Sequence, residues 1–382
     1  MMSTPDVDVV VVGLGAMGSN TLMQLARRQV KVLGIEQFEP GHSRGASHGE
    51  TRIIRTAYAE GAAYVPLAQR AWQLWRELEN LSGERLLEKT GGLVIGPTGS
   101  APVLAPITSA TAHHLPYELF DHDQMRKRYP QHRLDKQSAA FYEADAGVLR
   151  PEKAVRAAIR VAESSGAQVL TGTEVTEIIP DPERPRVRIG HKEIVARHVV
   201  VAAGAWLTRL TPAAMSTVKV VRRVFGWFES DHPADYTIER FPVFIRADAT
   251  DTHVWYGIPS VDGSPVKVAI HFWPGLDEPV DPTAGARPPD NHDADLIAEI
   301  VEQTLPGLRP RPVKLQSCMY SLTPDQHFLV GSRADLPGLT VLGGFSGHGF
   351  KFSTAIGEIA ADLATQGKTS WEIAFLDPER FA

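Results

Sequence analysis

The residues of this chain best spaced to do chemistry begin with a glycine triplet. Gly13, Gly15 and Gly18 follow directly on an all-apolar run, Val9 to Val12, in the spacing G-x-G-x-x-G. In that spacing the first glycine permits a tight turn and the second lets the backbone approach a pyrophosphate. The third lets the next helix pack close to the strand. Met17 lies inside the same turn. A second apolar run follows and ends in an acid, Glu36, about 20 residues past the glycines, where a carboxylate accepts hydrogen bonds from a ribose diol. A 2′-phosphate is repelled there, so NADP is disfavoured. A glycine-rich turn without a ligand is the plain alternative, but strand, glycines, helix, strand and terminal acid agree on a dinucleotide. The motif alone does not separate NAD from FAD.

Further charged residues stand where charge needs a reason. The turn Ser346-Gly-His-Gly-Phe-Lys351 is glycine-rich and opens a C-terminal helix. Lys351 falls in its first turn, where the helix dipole disfavours a cation by about 0.3–1 kcal/mol. With His348 beside it, and Gly347 and Gly349 permitting close approach of a flat ligand, this points to an anion site. The alternative is a lysine that reaches out to water. Arg52 and Arg55 flank Ile53 and Ile54 in a β-branched stretch. On a strand they face opposite ways, and neither is cheaply buried without an anion. Two surface arginines are equally compatible with the stretch. In Val266 to His271, Val266, Val268 and Ile270 share one face, and Lys267, Ala269 and His271 share the other. That second face is either the wet side of an edge strand or the wall of a site.

Elements able to position these residues are legible. Helices are predicted over 16–28, 64–81, 121–129, 150–165 and 293–305, with a last helix after Lys351 that stops at Gly367. The 64–81 helix turns Leu67, Ala71, Trp75 and Leu78 inward. Strands are predicted over 91–96, 167–170, 175–179, 198–206, 218–229, 243–258, 266–271 and 339–345. The α/β pattern breaks off after the first units and resumes near Gly147. The fold class is therefore α/β, in an α+β two-domain arrangement. A Rossmann-like dinucleotide-binding domain takes 1–88, 147–215 and 318–382, and a substrate domain with a mainly antiparallel sheet takes 89–146 and 216–317.

Bulk properties exclude several classes. The 382 residues carry a net charge of −6, with 43% hydrophobic and 22% charged residues. No basic field attracts nucleic acid or an anionic membrane. The N-terminus has no basic n-region, and no run approaches the roughly 18 apolar residues of a membrane helix. Cys318 is the only cysteine, so no intrachain disulfide forms. A cytoplasmic protein without a metal site is expected.

Several of these segments together resemble the monomeric sarcosine oxidase and N-methyltryptophan oxidase family of FAD-dependent amine oxidases. They are the first glycine turn with Glu36, Ser47-His-Gly-Glu-Thr-Arg-Ile-Ile-Arg55 with Tyr58, Tyr64-Val-Pro-Leu67, Tyr256-Gly-x-Pro259, Lys267-x-x-x-His271, Cys318-Met-Tyr320 and Gly344-Phe-Ser-Gly-His-Gly-Phe-Lys-Phe352. They run in order along nearly the whole chain. The resemblance implies FAD, joined covalently through Cys318, and cofactor contacts at Gly13, Gly15, Met17, Gly18, Glu36, His48, Arg52, Val175, Gly347, His348, Gly349 and Lys351. It assigns Arg55 and Lys351 to the substrate carboxylate. Arg52 and Lys267 fall on the flavin face where oxygen is reduced. The resemblance implies catalytic roles for Lys267, Arg52, Tyr256, His271 and Tyr320, with Tyr256 and His271 also binding substrate.

The implied reaction is oxidation of an N-methyl amino acid such as sarcosine to an imine. Formaldehyde and the demethylated amino acid are released, and oxygen becomes hydrogen peroxide. The expected partners are a small amino acid and oxygen, for a monomer or weak homo-oligomer. Alternatives are a cyclic imino acid or bulkier N-methyl substrate, a flavin dehydrogenase with a protein electron acceptor, and a NAD-binding module without flavin chemistry. The chain departs from the family in the Gly45-Ala-Ser47 loop, in a longer turn between Ile245 and Tyr256, and in Trp273 after His271, where relatives often carry smaller residues. The last two reshape the pocket.

Overall fold

The computed structural model describes residues 5–212, 216–248, 250 and 252–381. The expected domain boundary at Met215 and the first four residues lie outside the described residues.

The all-valine run becomes the centre of a parallel sheet. Strand Val7–Val12 pairs in parallel with Val32–Ile35 on one side and Lys192–Val201 on the other. Gln168–Leu170 and Leu339–Gly343 extend this sheet in parallel at its two sides. Alternate valines serve two cores: Val9 and Val11 face one cluster, Val10 and Val12 the other. Burial on both faces is why the run is apolar without a break. On the first face pack helices Ala16–Arg27, Val65–Ser82, Pro151–Ser164 and Ser353–Gln366. Leu67, Ala71, Trp75 and Leu78 are all buried there, as their spacing predicts.

The second sheet runs in the order Lys314–Leu322, Lys219–Phe228, Val266–Phe272, Val254–Ile258, Val243–Ala247, Gly92–Pro97, Ser138–Glu143 and Glu118–Phe120. Its pairs are antiparallel except Val243–Ala247 with Gly92–Pro97. Helix Asn291–Thr304, capped by reciprocal Asp290 and Asp293 hydrogen bonds, packs behind it. The Cys318 boundary expected between domains falls inside the first of these strands. A small sheet of Arg52–Ile54, Gly147–Leu149 and Leu87–Lys89 carries Arg52, and Arg55 follows directly after its first strand.

Several local expectations shift. Val266–Phe272 is an interior strand, not a wet edge, because strands 219–228 and 254–258 pair on both its sides. The strand expected from Val175 starts at Glu177, and the one expected over 198–206 spans Lys192–Val201. Lys351 sits in a 3-10 turn, Phe350–Phe352, ahead of the last helix, which ends at Gly367 in a left-handed cap. Helix Ala101–Ala112, with Pro106 inside it, was not foreseen.

Candidate active site

A cleft opens at the carboxyl ends of the parallel strands, where open α/β sheets bind ligands. Gly13, Gly15, Met17, Glu36, Arg52 and Val175 line it, together with Gly347, Gly349 and Tyr320 from distant parts of the chain. Two glycines of the triplet, Gly13 and Gly18, are required by contact. A Cβ on Gly18 would overlap the Gly13 carbonyl oxygen, so Gly18 sets helix packing rather than lining the cleft. Gly13 has φ +86° and a Cβ there would press on the Ala202 backbone. The Glu36 carboxylate accepts from the backbone N–H of Leu14 at 2.8 Å and of Phe38 at 3.0 Å. It is thereby fixed at the cleft with lone pairs left over.

Between the cleft residues Ser47 and Arg52 two buried polar atoms lack partners, His48 Nε2 and Thr51 Oγ1, though neither residue lines the cleft itself. The other His48 ring nitrogen is engaged with Gln316 at 3.0 Å. Burial, with the Arg52 and Lys267 charges, lowers the His48 pKa to about 3, so the ring is neutral. Gly347, at φ +78°, passes so close to the Tyr320 ring that a side chain would strike it. A glycine cradle, a fixed carboxylate and orphaned polar atoms fit a dinucleotide with a flat end group.

A second cavity of about 630 Å³ adjoins the first, and Arg52, Tyr320, Gly347 and Phe350 line both. Arg55, Tyr256, His271, His348 and Lys351 line the second. His348, assigned to the cofactor by resemblance, and Lys351, assigned to both cofactor and substrate, line this second cavity and not the first. The arginines are not surface residues: Arg55 is 6% exposed and Arg52 partly buried. Lys351 does not reach to water either, at 6% exposure. Its Nζ donates to the His348 carbonyl at 2.7 Å and the Tyr58 hydroxyl at 3.3 Å. Burial and the Arg55 charge lower its pKa to about 7, with Glu60 opposing.

Glu60 is the residue that sequence reasoning missed. Arg55 Nη2 donates to both Glu60 oxygens, at 2.6 and 2.8 Å. Burial alone would raise the Glu60 pKa, but Arg55, His348 and Lys351 together hold it well below the usual carboxylate range. The signal was present, since a buried arginine demands an anion. Burial, aided by His348, lowers His271 to about 3, and burial raises Tyr256 to about 12, so both are neutral. His271 Nδ1 lies 3.4 Å from the Tyr320 hydroxyl.

Lys267 lines neither space. It is 1% exposed and donates to the carbonyls of Gly49 and Thr51 at 2.9 and 3.1 Å. Its ammonium lies 4.1 Å from the Phe225 ring centroid. Burial and the Arg52 charge depress its pKa well below the usual lysine value. Cys318 packs with Phe225, Trp227 and Ala269 in the same small core as Tyr320, two positions along its strand. Burial pushes its thiol pKa up against the pull of Arg52 and Lys267. Among the described residues no group of His, Cys, Asp and Glu could hold a metal ion, and no helix is long and apolar enough to cross a membrane.

Comparison with known proteins agrees with this geometry. The family described as FAD dependent oxidoreductase matches residues 8–363, and the chain belongs to it. The chain is 36% identical over 385 residues to the monomeric sarcosine oxidase of Streptomyces avermitilis, covering 99% of both chains. It is 32% identical over 379 residues to the N-methyl-L-tryptophan oxidase of Yersinia pestis, covering 98% of this chain and 100% of that one. The solved structure of NikD, an unusual amino acid oxidase essential for nikkomycin biosynthesis, superposes with a TM-score of 0.85. Its identity is 26% over 98% of each chain. The protein is thus an FAD-dependent oxidase of the sarcosine oxidase and N-methyltryptophan oxidase type, with the mixed α/β fold expected. A NAD-binding module without flavin chemistry is set aside.

Proposed function

We propose that this enzyme oxidises an N-methyl (secondary) amino acid to the imine. Water then releases formaldehyde and the demethylated amino acid, and oxygen takes up the two electrons and two protons as hydrogen peroxide. The observation that carries this reading is a pair of buried cations, Arg55 and Lys351, lining a cavity that shares a wall with the dinucleotide cleft. FAD, when bound, supplies the two-electron acceptor.

The chain's own residues position and exclude. Lys351 and Arg55 take the substrate carboxylate, and Arg55 does so by sharing or exchanging its fork with Glu60. Anchoring one end fixes the C–H to be oxidised, and such positioning supplies several kcal/mol of a barrier. The amine must be neutral to be oxidised. The cations around it disfavour its protonated form, and neutral Tyr256 and His271 add no anion to stabilise it. Arg52, on the wall shared by the two spaces, and Lys267, buried on the Gly49 and Thr51 carbonyls against the same Phe225 ring, would lend positive potential to the negative charge that oxygen gains on reduction. Cys318 is proposed as the covalent anchor of the flavin. The first sheet with its helices is read as the FAD-binding unit and the second sheet as the substrate unit.

The test is substrate-driven bleaching of the flavin spectrum in wild type, Lys351→Met and Arg55→Met. Weaker substrate affinity in both variants is expected, and unchanged affinity in both would remove the clamp. A stoichiometric peroxide yield from purified enzyme supports oxygen as acceptor; no peroxide while an artificial acceptor is reduced points to a dehydrogenase.

A further inference from the structure

Arg55 and Lys351 account for one end of the substrate only. The cavity of about 630 Å³ is within the size range of sites for drug-sized ligands, whereas sarcosine carries nothing but hydrogen on its α-carbon. Other walls of the cavity are apolar: Ile245 and Val254 from the second sheet, Trp273 directly after its strand Val266–Phe272, and Pro102 and Ala105 from the helix Ala101–Ala112. Three acids line it and each is engaged, Glu60 with Arg55 at 2.6 Å, Asp277 with Arg223 at 2.6 Å and Asp325 with Arg380 at 2.8 Å. They are not free to select a cationic side chain.

Trp273 reaches the cavity through a break in strand regularity. Val254 pairs with Phe272, but the next pair is Trp255 with Ile270, which leaves His271 as an extra residue. Such a bulge re-aims side chains. His271, Phe272 and Trp273 consequently all line the cavity, which strict alternation forbids. The indole is then braced from behind. His253 meets it edge-on, with ring centroids 4.4 Å apart at 81°. Asp248 Oδ2 holds His253 Nδ1 at 2.7 Å, and Asp248 Oδ1 accepts from the Thr252 backbone N–H at 3.0 Å.

We infer that Trp273, braced by His253 and Asp248, is the specificity-determining wall of this enzyme, and that it takes a large, flat apolar side chain on the α-carbon of the substrate. This rests on the amino-acid reading proposed above. A flat side chain lies against the indole face while the carboxylate stays on Arg55 and Lys351. A hydrogen or methyl group leaves the wall untouched.

The test uses the holoenzyme in wild type, Trp273→Ala, Trp273→Phe and His253→Ala. Sarcosine, N-methylalanine, N-methylleucine and N-methylphenylalanine are compared by kcat/KM. The wild-type value is expected to rise at least about tenfold from sarcosine to N-methylphenylalanine, the scale of discrimination an apolar pocket provides. Trp273→Ala should lose most of that advantage, through KM rather than kcat. His253→Ala should lose part of it, and Trp273→Phe should keep it. A wild-type preference for sarcosine, or undiminished selectivity in Trp273→Ala, overturns the inference. A second arm needs no turnover: binding of 3-phenylpropionate against propionate, followed by perturbation of the flavin absorbance. If no amine is oxidised but 3-phenylpropionate binds more tightly in a Trp273-dependent manner, the wall stands and the N-methyl reading falls. If the two acids bind alike, the wall falls whichever amines are oxidised.

Discussion

Lys351 is a cation kept where burial opposes its charge, and its behaviour with pH follows. With a pKa of about 7, it is charged below that pH and neutral above it. An anion bound beside it favours the charged form, so binding takes up a proton above about pH 7. The dissociation constant of a simple carboxylate should therefore rise by up to tenfold per pH unit there, and Lys351→Met should remove that slope. Titrations of acetate or propionate by flavin absorbance check both. Stability obeys the same linkage. An unfolded lysine titrates near about 10.4, so between these values the unfolded chain binds the extra proton. The Lys351 contribution to stability thus improves as pH rises through this window, and is worst below it. Glu60 gives a second prediction. It occupies Arg55 Nη2 with both oxygens, so Glu60→Gln should tighten carboxylate binding by about tenfold, or about 1.4 kcal/mol. The same variant should melt at a lower temperature, because its buried guanidinium loses its anion. Carboxylate binding that weakens in Glu60→Gln would contradict the exchange.

At the scale of elements, the glycine turns and the strand after them were legible because their demands are local. The contact of Gly18 with the Gly13 carbonyl lies within a single β-α unit, so that part of the spacing is local, whereas Gly13 also presses on the Ala202 backbone from a distant strand. Alternation along Val266 to His271 also put Lys267, Ala269 and His271 on one face, and Ala269 does join Cys318 and Tyr320 in a core beneath the site. It did not tell an interior strand from an edge, since that depends on strands 219–228 and 254–258 chosen by long-range pairing. The bulge at His271 was invisible for the same reason. Glu60 was legible only through the demand of a buried Arg55 for an anion, and the sequence alone does not show that Arg55 is buried. The glycine turn at the site allows a sharp test. Gly347 has φ +78° and runs against the Tyr320 ring, so Gly347→Ala must strain the backbone and displace that ring. A stability loss of about 1–3 kcal/mol is expected from the backbone alone. A shifted flavin spectrum and a large drop in kcat/KM should accompany it. A variant with wild-type spectrum and rate would show that Tyr320 is not held by this turn.

At the scale of the molecule, the two sheets meet around the cofactor cleft. Its walls come from the first sheet at Val12, Ile35 and Leu342, and from the second at Met319, Tyr320 and Ser321. A ligand that touches both halves in the folded state and neither in the unfolded chain stabilises the whole by mass action. A bond through Cys318 would make that stabilisation independent of free FAD, because the ligand cannot leave. Wild-type enzyme should then keep its colour on acid precipitation, and its melting temperature should ignore added FAD. Cys318→Ala should release its flavin in acid and melt at a temperature that climbs with FAD concentration. The gain is about 2.7 kcal/mol when free FAD exceeds its dissociation constant a hundredfold. Thermal melts across an FAD series, with flavin measured in the acid supernatant, read both effects at once. Flavin released by acid from the wild type would remove the covalent anchor. A Cys318→Ala melting temperature indifferent to FAD would instead show that the cleft does not couple the two sheets.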